Sequence, residues 1–160
     1  MTGIHVLTTS VEETRALGAR LGVLLDDGDV VLLHGDLGAG KTTLSQGIVT
    51  AGRPGIAVQS PTFTLVNQYA PAAGRPGMFH LDLYRLEGPD DLDSIGFNDL
   101  LAAGNGGMLV EWPERLGADL PDDYLLIQIE PTGPDSRRIE LRAIPADGRH
   151  TRIIDALSAD

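Results

Sequence analysis

The chain has 160 residues and a mass of 17.0 kDa, the size of one compact domain that can bury a core without staples, and a single domain over 1–160 is expected. It contains no cysteine, which excludes disulfides, thiolate metal sites and cysteine nucleophiles and suits a reducing cytoplasm. With 23 acidic against 12 basic side chains and a formal net charge of −11, it is ill suited to grip a nucleic-acid backbone directly, so any RNA it serves is expected to be held by a partner.

Met1 to Ser10 has no positive cluster followed by an apolar core, so it does not read as a secretory signal. The longest apolar stretches, such as Val30 to Leu33, fall far short of the roughly 20 residues that cross a bilayer, and a soluble, cytoplasmic protein is expected.

Ile4 to Leu7 reads as a short strand. Ser10 and Glu13 then have capping-box spacing, and Val11, Leu17, Leu21 and Leu24 recur at helical spacing through Leu25. The Asp26-Asp27-Gly28-Asp29 turn ends that helix, whose apolar face should pack on a sheet. Val30 to His34 is a continuous apolar run of the kind buried on both faces of a sheet. It delivers the chain into Gly35, and Thr42 to Ala51 follows as a helix broken by Gly52-Arg53-Pro54-Gly55.

Thr62 to Tyr69 and Met78 to Tyr84 have strand composition, and the turn from Pro71 to Gly77 makes the pair a hairpin. Phe97 to Ala103 predicts a short helix, Met108 to Trp112 a buried strand, Tyr124 to Ile129 and Ile139 to Ile144 two further strands, and Thr151 to Leu157 a last helix. The expected class is α/β, a P-loop NTPase fold with a mixed central sheet, parallel at its core with antiparallel strands, flanked by helices.

Gly35-Asp36-Leu37-Gly38-Ala39-Gly40-Lys41-Thr42 carries the chemistry. Two glycines four residues apart, then lysine and a hydroxyl residue, form the pattern in which a curled backbone points successive amides at phosphates. The following helix adds its free amides and positive dipole end. Lys41 would reach the β and γ phosphates, and Thr42 offers a hydroxyl to magnesium, which prefers hard oxygen ligands. Lys41 is the only lysine; the other eleven basic residues are arginine. Lysine is a compact point charge and arginine a planar fork, so its retention here suggests that the ammonium itself is needed.

Such a site also requires a carboxylate at the end of a buried strand. Asp82 and Glu111 are the candidates: alternation in His80-Leu81-Asp82-Leu83-Tyr84-Arg85 puts His80, Asp82 and Tyr84 on one strand face, and Glu111 follows the apolar run Met108-Leu109-Val110. Ser60-Pro61-Thr62-Phe63-Thr64 lies where nucleotide-sensing loops carry hydroxyls. His34 and His80 lack a matching set of ligands, so neither reads as a metal site. No Asn-Lys-x-Asp stretch is present to read guanine, which favours ATP.

Taken together, the stretch Gly35 to Thr43, Ser60 to Leu65, His80 to Leu86 and Glu111-Trp112-Pro113 resemble the bacterial TsaE family in order and spacing, over about Thr8 to Glu140. That resemblance implies an ATPase, using ATP and Mg2+, required for the threonylcarbamoyladenosine modification of tRNA beside the anticodon and working with TsaD and TsaB, with tRNA reached only through that complex. By position it implies that Lys41 holds phosphates and that Thr42 and Glu111 bind magnesium, while Asp82 supports hydrolysis. It further implies nucleotide contacts along Asp36, Leu37, Gly38, Ala39, Gly40, Lys41, Thr42 and Thr43, near Thr9 and Ser10, and at Arg137. Trp112 and the loop bearing Ser60, Thr62 and Thr64 would couple nucleotide state to partners. Two alternatives stand beside it: a small-molecule kinase, which needs an arginine lid that Arg75, Arg85 and Arg115 do not obviously supply, and an interaction module in which ATP only selects a conformation.

Overall fold

A computed structural model describes residues 3–36, 38–51, 66–72, 74–87 and 89–159. Seven strands form one sheet in the order β1-β7-β6-β2-β5-β4-β3: β1 Gly3–Thr8, β2 Val30–His34, β3 Val66–Tyr69, β4 Met78–Asp82, β5 Gly107–Glu111, β6 Tyr124–Pro131 and β7 Arg137–Ile144. The central run β6-β2-β5-β4 is parallel, and β7, β1 and β3 join it through antiparallel pairs. The sheet is thus mixed, as the hairpin reading requires.

Helices α1 Val11–Gly22, α2 Lys41–Thr50 and α5 Thr151–Ser158 cover one face, and α3 Pro89–Ser94, α4 Phe97–Ala103 and a short 3-10 segment, Pro113–Asp119, cover the other over β2, β5 and β4. Val31 and Leu33 of β2 enter the first core cluster, Val30 and Leu32 the second. A strand with apolar cover on both faces has no polar alternation, which is why β2 reads as a continuous apolar run. No helix among the described residues is long and apolar enough to cross a membrane.

Ser10 caps α1, its hydroxyl accepting the Glu13 amide at 3.1 Å, and the Glu13 carboxylate returns to the Thr9 amide at 2.7 Å; such a cap stabilises a helix by about 1 kcal/mol. The helix ends at Gly22, three residues before the expected Leu25. Leu25 remains buried beyond it, and the Arg75 guanidinium donates to the carbonyls of Gly22 and Leu25 at 3.4 and 3.0 Å, satisfying acceptors that a longer helix would have used itself.

The main neighbour of α1 is α2, and the contact is made by glycines. A Cβ at Gly18 would lie 2.5 Å from the Leu44 carbonyl oxygen, one at Gly22 2.3 Å from that of Ile48, and one at Gly47 2.2 Å from that of Arg15. Backbone therefore meets backbone, which fixes the helix carrying the Gly-rich loop.

The opposite end of β2 is fixed by polar groups. The Val30 amide donates to His150 Nε2 at 3.0 Å, and His150 Nδ1 donates to Asp123 Oδ1 at 2.8 Å. Buried Asp29 pairs with Arg149 at 3.0 Å and with Arg152. Burial holds the His150 imidazole below its ordinary range, against the pull of Asp123 and Asp29 and with a smaller push from Arg149.

Several boundaries differ from the sequence reading. β4 stops at Asp82 rather than Tyr84 because the Asp82 carboxylate accepts the Tyr84 amide at 3.0 Å and turns the chain. β5 stops at Glu111 because Trp112 adopts φ 61°. α3 and the 3-10 segment were not foreseen; both are under ten residues and open next to proline or aspartate, which read equally as turns. The Thr62 to Leu65 part of the expected strand and the Gly52 to Gly55 break lie outside the described residues.

Two outcomes test this packing. Gly47→Ala should lower the unfolding free energy by about 3 kcal/mol, because overpacking here pushes on backbone rather than on a movable side chain; a loss near zero in chemical denaturation contradicts it. Since folded His150 is held below its unfolded value of about 6.5, the unfolded chain binds more protons as the pH falls through that value. Stability must then fall on acidification. The drop in Tm between about pH 7.5 and 5.5 should be smaller in His150→Gln than in the parent chain; equal drops contradict the assignment.

Candidate nucleotide site

The carboxyl ends of β2, β5 and β4 meet one another at the start of α2, the place where open α/β sheets bind ligands. β2 hands the chain to Gly35 and Asp36; the Ala39 amide closes on the Asp36 carbonyl at 3.1 Å, and the Leu44 amide takes the Gly40 carbonyl at 3.1 Å, starting α2. Gly40 has φ 102° and caps α2 with no side chain, so no side-chain cap serves the first amides of the helix. Asp36, Gly38 and Thr42 are exposed, Gly40 and Thr43 half-buried and Ala39 buried; Leu37 lies outside the described residues.

Lys41 is the first residue of α2 and is only 6% exposed. Its Nζ has no hydrogen-bond partner among the described residues and sits 3.8 Å from the centre of the Trp112 ring. Burial pushes the ammonium below the ordinary lysine range; the carboxylates of Glu111 and Asp82 act the other way, followed by Glu114 and Asp36. An uncompensated buried charge of this kind is costly, and a desolvated cation–π contact returns only about 2 kcal/mol.

Asp82 and Glu111 are direct neighbours across the β4/β5 pair, and both side chains are largely buried. The Glu111 carboxylate accepts from His80 Nε2 at 2.6 Å. His80 and Asp82, two apart on β4, share a face, as the alternation requires, while Tyr84 has left the strand and lies 4.9 Å, ring to ring, from Trp112. Trp112 holds φ 61°, which for a bulky side chain costs on the order of 1–3 kcal/mol. This turn points the ring back over Lys41, and Pro113 then opens the 3-10 segment.

Arg137, the first residue of β7, reaches the same loop from the other side. A Cβ on Gly40 would lie 2.9 Å from Arg137 Nε, and that Nε is buried without a partner among the described residues. Its Nη1 is held by the carbonyls of Ser136, Gly133 and Pro134 at 2.8, 3.2 and 3.3 Å. Thr8, at the end of β1, is the register partner of Arg137, which brings the Thr9-Ser10 turn to this end of the sheet, although the Ser10 hydroxyl already caps α1. Ser60, Thr62 and Thr64 lie outside the described residues.

The structure thus gathers Lys41, Asp82, Glu111, Trp112 and Arg137 around one loop. The sequence reading missed the His80–Glu111 bond, which depends on the β4/β5 register, and the 3.0 Å contact between His34 Nε2 and the Glu114 carboxylate that ties the end of β2 to the 3-10 segment. Alternation had already placed His80 on the Asp82 face, but nothing local signals which strand lies alongside.

Because Lys41 is the only lysine, selective 13C labelling gives one side-chain signal. Its titration midpoint in the folded chain should lie below the ordinary value of about 10.4, and Glu111→Gln, which removes the foremost favourable charge, should lower it further. A midpoint at or above the ordinary value contradicts the buried, unpartnered ammonium.

The family model for the threonylcarbamoyl adenosine biosynthesis protein TsaE matches residues 8–139. The chain is 35% identical over 151 residues to the tRNA threonylcarbamoyladenosine biosynthesis protein TsaE of Bacillus subtilis, covering 94% of this chain and 91% of that one. It is 42% identical over 130 residues to the protein of that name from Haemophilus influenzae, covering 81% and 78%. Among solved structures it resembles the crystal structure of YdiB from Bacillus subtilis with a TM-score of 0.78 and 32% identity, covering 99% of this chain and 97% of that one. A P-loop NTPase fold, this match to the family model over most of the chain, and relatives of that name together establish that the chain belongs to the TsaE family.

Proposed function

We propose that the chain binds ATP with Mg2+ in the Gly35–Thr42 loop and hydrolyses it in support of tRNA threonylcarbamoyladenosine biosynthesis, the process its relatives are named for. The observation that carries the reading is Lys41 Nζ, a buried cation with no hydrogen-bond acceptor among the described residues, set at a helix start whose own amides lack a cap. Arg137 Nε, also buried and unpartnered among the described residues, adds a second donor beside Gly40. In a chain of net charge −11, two unmet cationic donors beside one loop describe a receptor for a compact, multiply charged anion such as a triphosphate.

In this reading Lys41 and the amides from Gly38 to Thr43 hold the phosphates. Thr42 and Glu111 hold the metal, which when bound supplies charge neutralisation and orientation for phosphoryl transfer to water. Asp82, beside Glu111, positions the attacking water and accepts its proton. Trp112 and the Ser60 to Thr64 loop report the state of the nucleotide to the partners, TsaD and TsaB, which act on tRNA themselves. The acidic surface fits that division, since the tRNA is held by the partner complex rather than by this chain. Service to a tRNA-modifying complex fits a cytoplasmic protein.

The kinase alternative gains nothing from the arginines. Arg75 is committed to the carboxyl end of α1, and the Arg85 and Arg115 side chains are exposed on the turn after β4 and on the 3-10 segment.

Phosphate release from Mg-ATP should be slow for the chain alone, rise at least tenfold with TsaD and TsaB together, and vanish in Lys41→Ala under both conditions. Turnover unaffected by Lys41→Ala sinks the site; turnover that needs Lys41 but ignores both partners sinks the proposed role.

A further inference from the structure

Two histidines, His80 and His150, are buried, and they are held in different ways. His150 uses both ring nitrogens, accepting from the Val30 amide and donating to Asp123, as a structural histidine in a core should. His80, only 2% exposed, makes one hydrogen bond, Nε2 to Glu111 Oε2 at 2.6 Å, and its Nδ1 is buried without a partner among the described residues. A carboxylate only accepts, so the proton of that bond sits on Nε2. Among the described residues the polar ring thus makes one hydrogen bond in the core, and that bond ends on Glu111.

Its geometry restrains the carboxylate. His80 pairs in register with Leu109 and Asp82 with Glu111, so the His80–Glu111 bond runs diagonally across the β4/β5 pair while Asp82 stands directly opposite. Two acidic side chains side by side repel one another. The bond to His80 ties Glu111 Oε2 back along the sheet, which leaves Oε1 outside that bond and restrains the rotation of the carboxyl group, in a side chain close enough to Lys41 to be the foremost charge acting on its ammonium. Carboxylates that bind metals are commonly held by such a partner, and its loss costs 10–100-fold in metal affinity.

We propose that His80 is the positioning residue for Glu111: through the Nε2–H bond it presents one carboxylate oxygen to the divalent metal of a bound nucleotide, without itself touching metal or nucleotide. The proposal rests on the nucleotide reading above.

The test compares two polar replacements in the full chain. His80→Gln keeps an N–H near the Nε2 position, and His80→Asn places its amide near Nδ1, too short to reach Glu111. Mn2+ binding to the chain saturated with ADP is followed by loss of the free-ion paramagnetic resonance signal, and ADP binding in EDTA is measured alongside. Mn2+ affinity in His80→Asn is expected to fall about tenfold or more and in His80→Gln less than threefold, with ADP affinity in EDTA within twofold of the parent in both. Mn2+ affinity unchanged in His80→Asn, or lost equally in both variants, overturns the positioning role. Loss of ADP binding in EDTA along with Mn2+ binding also overturns it, because the ring then serves the whole site. If the parent chain binds no ADP at all, the nucleotide reading fails first and the His80 proposal with it, an outcome distinct from every variant effect.

Discussion

Lys41 is only 6% exposed, its ammonium finds no hydrogen-bond acceptor among the described residues, and the candidate site is organised around that charge. Leaving a charged donor unmet in a core costs more than the 1–3 kcal/mol typical of a neutral one. The Trp112 ring returns about 2 kcal/mol at best, and the carboxylates of Glu111 and Asp82 pull in the same direction without overcoming burial, which still depresses the lysine. What remains is a standing preference for an anion that can reach Nζ. The ring lies over the cation, and it sits there because Trp112 accepts a left-handed backbone at the end of β5.

Holding so unfavourable a group still requires a rigid frame. α2, which begins with Lys41, touches α1 backbone to backbone at Gly18, Gly22 and Gly47, so it has no side-chain cushion on which to slide. β2, which feeds the loop, is buried on both faces and pinned at its start by His150, Asp123 and the Asp29 ion pairs. Strain at one end of the sheet is thereby supported by polar order at the other, with the carboxylates of β4 and β5 set in register between them.

Much of this was legible in the chain. The apolar run Val30 to His34, the Gly-rich loop and the single lysine name the strand, the turn and the helix start directly, because backbone curvature and buried strands each demand particular residues. The capping pair Ser10 and Glu13 marks α1, and alternation puts His80 beside Asp82. What escaped has a common cause. The His80–Glu111 bond, the stacking of Trp112 on Lys41 and the approach of Arg137 to Gly40 all join residues far apart in sequence through strand order, which local periodicity does not encode. The glycines of α1 carry no side chain that marks a contact, and their place in the packing is visible only once α2 lies against them. The ends of β4 and β5 were placed one or two residues too far because Asp82 and Trp112 bend the chain by side-chain means, through an Asx turn in one case and a ring seated on a cation in the other.

A crystal structure of the chain with Mg-ADP bound bears most directly on the role of Lys41. The β-phosphate is expected in the Gly35–Thr42 loop, with Lys41 Nζ lifted off the Trp112 ring and within hydrogen-bond distance of a phosphate oxygen. A nucleotide seated elsewhere, or one in the loop with Lys41 still stacked on Trp112, would contradict it.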